Sequence, residues 1–209
     1  MTRRLGSGSL VIATHNDGKL REIAALLEPY DVKCLSAGSL GLPEPVENGT
    51  TFVENALLKA RSAAAGSGLP ALADDSGLSV EALDGRPGVY TADWAERQHF
   101  EGSPGRDWFM AMGKVEGMLA KRGRDVDRSA AFHCVLAIAW PDGDHAVYEG
   151  KVGGSVTWPP RGELGFGYDP VFVPAGYEKS FAELHPAEKH KISHRADAFA
   201  KLVSDQFAG

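Results

Sequence analysis

Two adjacent carboxylates, Asp74 and Asp75, follow the apolar run Leu69–Ala73 and precede Ser76-Gly77. A carboxylate pair beside a hydrophobic run is costly to desolvate, so it calls for a divalent cation, a Lys or Arg, or backbone donors. The run reads as a strand and Ser76-Gly77 as a turn, after which Leu78, Val80 and Ala82 resume an alternating pattern. That puts the pair at a strand end. Successive extended residues point to opposite faces, so Asp74 and Asp75 are expected to do different jobs, one of them facing a cleft. The same four residues also suit an Asx-type turn.

Anion-handling candidates occur on both sides of this pair. Thr14-His15-Asn16-Asp17-Gly18-Lys19 leads from a strand over Ser9–Thr14 into a helix whose apolar residues are Leu20, Ile23, Ala24 and Leu27. Unpaired N–H groups at that helix start, with Lys19 beside them, could cradle a phosphate, or the segment could be a plain N-cap. It is not a Walker A loop, because Ala13 and Leu20 stand where that motif needs Gly and Ser or Thr. Thr51 and Glu54 form a capping box for a helix to about Ala65, on which Phe52, Ala56, Lys59, Ala60 and Ala63 share one stripe. Lys59 therefore projects from the apolar face, where it needs an anion or must snorkel.

Other elements frame these residues. Asp31–Leu35 reads as a second strand, and Ser36–Thr50 as a Gly- and Pro-rich loop carrying Glu44 and Glu47. Asp84–Tyr90 reads as an irregular active-site loop, and Pro104–Lys121 as a helix with Trp108, Met112, Val115 and Leu119 inward. Ser129–Trp140, apolar on both faces, reads as a central strand that turns at Pro141–Asp144 into a partner, His145–Lys151, with His133 a core histidine. Gly165-Phe166-Gly167-Tyr168-Asp169-Pro170 sets aromatics between glycines, a way to expose a ring face to a flat ligand, and Val171–Val173 continues as strand. Glu188–Arg195 gathers basic residues before a last helix with Ala198, Phe199, Leu202 and Val203 on its apolar side.

Five of these pieces, Thr14-x-Asn16-x-Gly18-Lys19, Thr51-Phe52-x-Glu54-Asn55-Ala56-x-x-Lys59-Ala60, Ala73–Leu78, Phe166–Pro170 and Ser193-His194-Arg195, occur in an order that resembles the inosine triphosphate pyrophosphatase family, also called the Ham1 or RdgB family. The resemblance runs from about Val11 to Leu202. It implies an elongated α/β fold, a mixed sheet flanked by helices in two lobes with a central active-site cleft, usually a homodimer and dependent on Mg²⁺. The implied reaction is hydrolysis of ITP, dITP or XTP to the monophosphate and pyrophosphate. Motif by motif, the segment Thr14, His15, Asn16, Asp17, Gly18 and Lys19 would hold phosphates, aided by Lys59. Glu47 and Asp75, with Asp74 beside them, would hold metal. Asp75 would accept the proton, with Lys19 the second catalytic residue, and Ser76 would touch substrate. Phe166 would stack on the purine, Gly167, Tyr168 and Asp169 would complete its pocket, and Lys189, His194 and Arg195 would contact the base and nucleotide. Donors from Arg195 or the backbone would pair with O6 of hypoxanthine or xanthine. One departure is Asp93, in Thr91-Ala92-Asp93, where the family usually has a basic residue that Arg86 or Arg97 could replace.

The totals agree with a small-molecule enzyme. At 209 residues, with 43% hydrophobic and 24% charged, the chain can bury one sizeable core, and a single domain over 1–209 is expected. Its net charge of −6 disfavours a nucleic-acid polymer as partner. Arg3-Arg4 precedes only the brief apolar run Leu10–Ala13, too short for a signal core or membrane span, and Cys34 and Cys134 read as reduced core thiols, so a cytoplasmic location is expected. Two alternatives stay open at this stage: a Maf-type nucleotide pyrophosphatase and a non-catalytic nucleotide sensor.

Overall fold

The computed structural model describes residues 3–6, 8–14, 17–96 and 105–207, the Asp17 side chain excepted. Six strands form one mixed sheet: β1 (Gly8–Ile12), β2 (Val32–Ser36), β3 (Ala71–Val80), β4 (Ser129–Ala139), β5 (His145–Val156) and β6 (Phe172–Pro174), in the order β2-β1-β3-β4-β5-β6. β1 runs parallel to both β2 and β3, whereas β5 and β6 are antiparallel. The helices are α1 (Asp17–Leu27), α2 (Phe52–Ser67), α3 (Trp108–Ala120), α4 (Pro186–Ile192) and α5 (His194–Gln206). This is the α/β class expected.

The chain divides into two units, Met1–Asp75 with Cys134–Gly150 and Arg195–Gly209, and Ser76–His133 with Lys151–His194. In the first, strand alternation sorts side chains onto two faces. Leu10, Ile12, Leu72, Cys134, Leu136 and Ile138 pack with Ile23 and Leu27 of α1 and Ala198 and Leu202 of α5. Their sequence neighbours Val11, Ala13, Ala71, Ala73, Val135 and Ala137 pack on the other face, against Ala56, Ala60, Ala63 and Ala64 of α2. Small residues on both sides of that layer bring the helix backbone close to the strands. Gln206 in α5 secures the start of the chain: its Oε1 accepts from the Leu5 N–H at 2.8 Å, and its Nε2 donates to Tyr148 Oη at 2.7 Å and to the Arg3 carbonyl at 3.2 Å.

The second unit has a separate core, in which Leu78, Val80 and Leu83 meet Met112, Val115 and Leu119 of α3 and the rings of Phe132, Phe172 and Phe181. Phe132 stands edge-on to Phe172 with centroids 4.7 Å apart, a favoured aromatic geometry.

Several boundaries differ from those expected. β3 does not stop at Ala73: Asp74, Asp75, Ser76 and Gly77 continue it to Val80, so the carboxylates sit within a strand and not at its end. Pairing with neighbouring strands outweighs the turn preference of those four residues. β5 runs on past Lys151 to Val156 because Gly154 lets it approach β6; a Cβ there would lie 2.2 Å from the Val173 carbonyl oxygen. α3 begins at Trp108, capped by Asp107, whose side chain accepts from the Met110 N–H, while Pro104 lies outside the described residues. The basic segment before the last helix is itself helical, as α4.

Candidate active site

Alternation along β3 decides the surroundings of the two carboxylates. Asp74 shares the face of Leu72, toward α1 and α5, and Asp75 the face of Ala71 and Ala73, toward α2. They have different partners, as their positions require.

Asp75 is buried, and its Oδ1 accepts from Lys59 Nζ at 3.0 Å. Lys59 reaches it from the apolar stripe of α2, a helix started by the complete Thr51–Glu54 capping box, and also pairs with Glu47 at 3.2 Å. Burial pushes the Lys59 ammonium down, but Asp75 and Glu47 outweigh it and leave its pKa raised. For Asp75 burial is the largest influence and exceeds the pull of Lys59 and Lys19, so its pKa lies above the ordinary 3.8. One cation thus serves two carboxylates, and Asp75 Oδ2 is buried without a hydrogen-bond partner among the described residues. A small pocket on the same face is lined by Ala13, Thr14, Ala37, Pro43, Glu44 and Lys59.

Asp74 is balanced. Lys19 Nζ lies 2.5 Å from its Oδ1; Arg195 and the Cys134 thiol, each at 3.1 Å, donate to its Oδ2. Arg195 also pairs with Glu22, one turn after Lys19 on α1. Burial opposes ionisation of Asp74, yet Arg195 and Lys19 more than offset it and hold the carboxyl well below its ordinary range. As a metal ligand Asp74 has both oxygens already engaged, unlike Asp75.

In the second unit, Asp169 Oδ2 accepts from Lys189 Nζ at 2.7 Å and from the Phe166 N–H at 2.8 Å. This buried pair is framed by aromatics, with Lys189 Nζ 4.9 Å from the Phe166 ring centroid and 5.6 Å from that of Phe181. Phe166 itself is half-buried. Gly165 and Gly167 take positive φ, and a Cβ on Gly165 would stand 2.1 Å from Asp169 Oδ2. Tyr168 is buried against Trp108, at 5.7 Å between centroids, and so presents no ring face. His194 stacks on Phe132 at 4.9 Å.

The expected site residues therefore fall into two groups. Thr14, Lys19, Glu47, Lys59, Asp74, Asp75 and Arg195 belong to the first unit, and Ser76, Phe166, Gly167, Tyr168, Asp169, Lys189 and His194 to the second. Gly18 lies in the first turn of α1; His15, Asn16 and the side chain of Asp17 lie outside the described residues. Arg195 is buried, its side chain 2% exposed, and its guanidinium pairs with Asp74 and Glu22. Asp93 is exposed, Arg86 pairs with Asp84, and Arg97 lies outside the described residues. Glu22, Cys134 and Phe181 were not among the sequence candidates. Only Glu22 carried a local signal, its i+3 spacing from Lys19.

The Ham1 family model matches residues 10–205. A dITP/XTP pyrophosphatase of Ruegeria pomeroyi is 52% identical over 209 residues, covering 100% of both chains. One of Caulobacter vibrioides is 56% identical over 198 residues, covering 95% of this chain and 97% of that one. Among solved structures, a HAM1 protein from Coxiella burnetii matches with a TM-score of 0.83 and 38% identity, over 94% of this chain and 96% of its own. With a family match across nearly its full length, relatives above half identity and the fold of a solved HAM1 protein, the chain belongs to the Ham1 family.

Proposed function

We propose that this protein hydrolyses noncanonical purine nucleoside triphosphates, dITP, XTP and ITP, to the monophosphate and pyrophosphate. Water attacks the α-phosphorus, the bond to the bridging oxygen breaks, and the β- and γ-phosphates leave together. Asp75 carries this reading: a buried carboxylate with one engaged and one unpartnered oxygen, its pKa raised by burial, is suited to orient the water and take its proton. Lys59 fixes the engaged oxygen, and with Lys19 and Thr14 supplies positive charge and hydrogen bonds for the phosphates.

The same group fits Mg²⁺. No group of three His, Cys, Asp or Glu side chains that could hold a metal ion by itself occurs among the described residues, but this ion is commonly held by one or two carboxylates together with substrate phosphates. Asp75 and Glu47 are the carboxylates assigned to it, since they share Lys59 between them. When bound, Mg²⁺ neutralises charge developing on the pyrophosphate leaving group.

Base recognition is assigned to the second unit. Phe166 stacks on the purine, and Lys189, held by Asp169, donates toward O6, the acceptor that replaces the adenine amino group after deamination. A site built on such donors can reject adenine by about 10⁴-fold, since the wrong base leaves polar groups unpaired. The names of the relatives favour deaminated purines over the Maf-type alternative. A homodimer and a cytoplasmic setting belong to the same reading; sedimentation of the purified protein and fractionation of cells test them.

Pyrophosphate release from dITP, XTP, ITP, GTP, ATP and dTTP, with and without Mg²⁺, tests the activity. Turnover of the hypoxanthine and xanthine nucleotides that EDTA stops and Mg²⁺ restores is expected. Preference for dTTP would move the protein to the Maf-type reading, and binding without turnover to a sensor.

A further inference from the structure

The loop 157–166 leaves β5, ends at Phe166 and is bonded to two other segments of the second unit. Toward the start of β6, the Thr157 N–H donates to the Val171 carbonyl and the Arg161 N–H to that of Pro170, both at 2.8 Å. Toward segment 178–184, the Leu164 N–H donates to the Ala182 carbonyl at 3.0 Å. Gly162 approaches the same carbonyl so closely that a Cβ on it would stand 2.3 Å away. Ser180 sits at this join and is wholly buried: its hydroxyl donates to the Arg161 carbonyl at 2.7 Å, and its N–H to Glu183 Oε2 at 2.7 Å. Arg161 closes the join from the loop side, with Nη2 donating to the Glu178 carbonyl at 3.0 Å and Nε lying 3.5 Å from Glu183 Oε2. An ion pair whose side chains are 40% and 32% exposed holds little by itself. The hydroxyl bond counts for more, because Ser180 makes it out of contact with water.

The residues that follow Ser180 reach the base-recognition group directly. The Phe181 ring centroid is 5.6 Å from Lys189 Nζ, and the Ala182 N–H donates to the Asp169 carbonyl at 3.3 Å. At the other end of the join, Phe166 lies four residues beyond Gly162, and its N–H donates to Asp169 Oδ2. We propose that Ser180 and Arg161 are positioning residues for the base: they latch the loop to segment 178–184 and so fix the Phe166 ring relative to the Asp169–Lys189 pair. The inference rests on the assignment of the base to the second unit. Lys19, Lys59 and Asp75, assigned to the phosphates and the attacking water, belong to the first unit, so loss of the latch acts on the nucleoside end of the substrate. Weaker ground-state binding with the chemical step intact is the expected signature.

The test compares the unmodified protein with Ser180→Ala, Arg161→Met, Arg161→Lys and, as a control on the base reading, Phe166→Ala. The readouts are KM and kcat for dITP and dATP, with calorimetric binding of inosine and of pyrophosphate as separate probes. Urea unfolding shows that each variant is folded. Ser180→Ala is expected to raise KM for dITP and weaken inosine binding by about tenfold, with kcat and pyrophosphate binding held within about twofold. The dITP to dATP ratio of kcat/KM falls with them. Arg161→Met shifts the same quantities in the same direction by a smaller factor, and Arg161→Lys, which keeps a cation for Glu183 and a donor for the Glu178 carbonyl, recovers part of the loss. Folded Ser180→Ala with unchanged KM and inosine binding, and only a lower unfolding midpoint, would overturn the inference and leave the latch a matter of stability. A fall in kcat and pyrophosphate binding with inosine binding intact would overturn it as well, by placing the effect at the phosphate end. Inosine binding that Phe166→Ala leaves unchanged would remove the base reading, and the latch with it; inosine binding lost with Phe166→Ala but kept in the latch variants would remove the latch alone.

Discussion

Replacing Asp75 by Asn removes a proton acceptor and keeps the shape of the side chain, so turnover of dITP should fall by roughly 10²–10⁴-fold while the protein stays folded. Steady-state kinetics together with circular dichroism check this, and near-normal turnover would remove Asp75 from the chemistry. Its neighbour should behave differently. The folded pKa of Asp74 is depressed, since Arg195 and Lys19 outweigh the effect of burial. Stability linked to such a group is fully present above its unfolded pKa and is lost as pH falls through its folded one. Asp74→Asn should therefore destabilise the protein at pH 7 by about 3 kcal/mol, as for one partner removed from a buried ion pair. The gap should narrow once the pH drops below the ordinary value of 3.8. Urea unfolding at pH 7 and pH 3 measures it; a gap independent of pH would mean that ionised Asp74 adds nothing to stability. The different surroundings of these two residues were legible from strand alternation alone. The partner of Asp74 at Arg195 was not, because 121 positions separate them and no local pattern reports such a meeting.

Elements with strong local signals were the most readable. The second helix announces itself through Thr51 and Glu54, and the stripe that sends Lys59 inward is plain in its spacing. The strand holding Asp74 and Asp75 was read too short, because Asp, Ser and Gly favour turns and only strand pairing overrides them. The loop before Asp169 shows a constraint that composition hints at without locating. Gly165 has φ +76°, and a methyl group there would meet Asp169 Oδ2 at 2.1 Å. Gly165→Ala should push Asp169 away from Lys189 and the Phe166 N–H, costing about 1–3 kcal/mol. KM for dITP should rise more than kcat falls, and calorimetric melting with steady-state kinetics tests both. An unchanged KM would show that the Asp169–Lys189 pair has no part in holding the base.

At the scale of the molecule, each unit carries its own core, and three strands supply residues to both. The first unit is assembled from three stretches of chain, including both ends, which no composition shift along the sequence marks. Gln206 ties those ends through Leu5, Arg3 and Tyr148. Gln206→Ala should cost about 2 kcal/mol by leaving the buried Leu5 N–H and Tyr148 hydroxyl without this partner, with turnover per folded molecule unchanged. Denaturant unfolding and kinetics decide it; a loss of turnover would tie the clamp to the chemistry.

The Gln206 clamp also holds Arg3 and Leu5, ahead of the first strand, to the last helix through one side chain. A short linker between the ends, with a new opening at the exposed turn Gly123-Arg124-Asp125, gives a circular permutant that cuts no strand or helix. In such a permutant Asp75 and Arg195 exchange their order along the chain, and the Arg195–Asp74 ion pair forms between segments made in the opposite sequence.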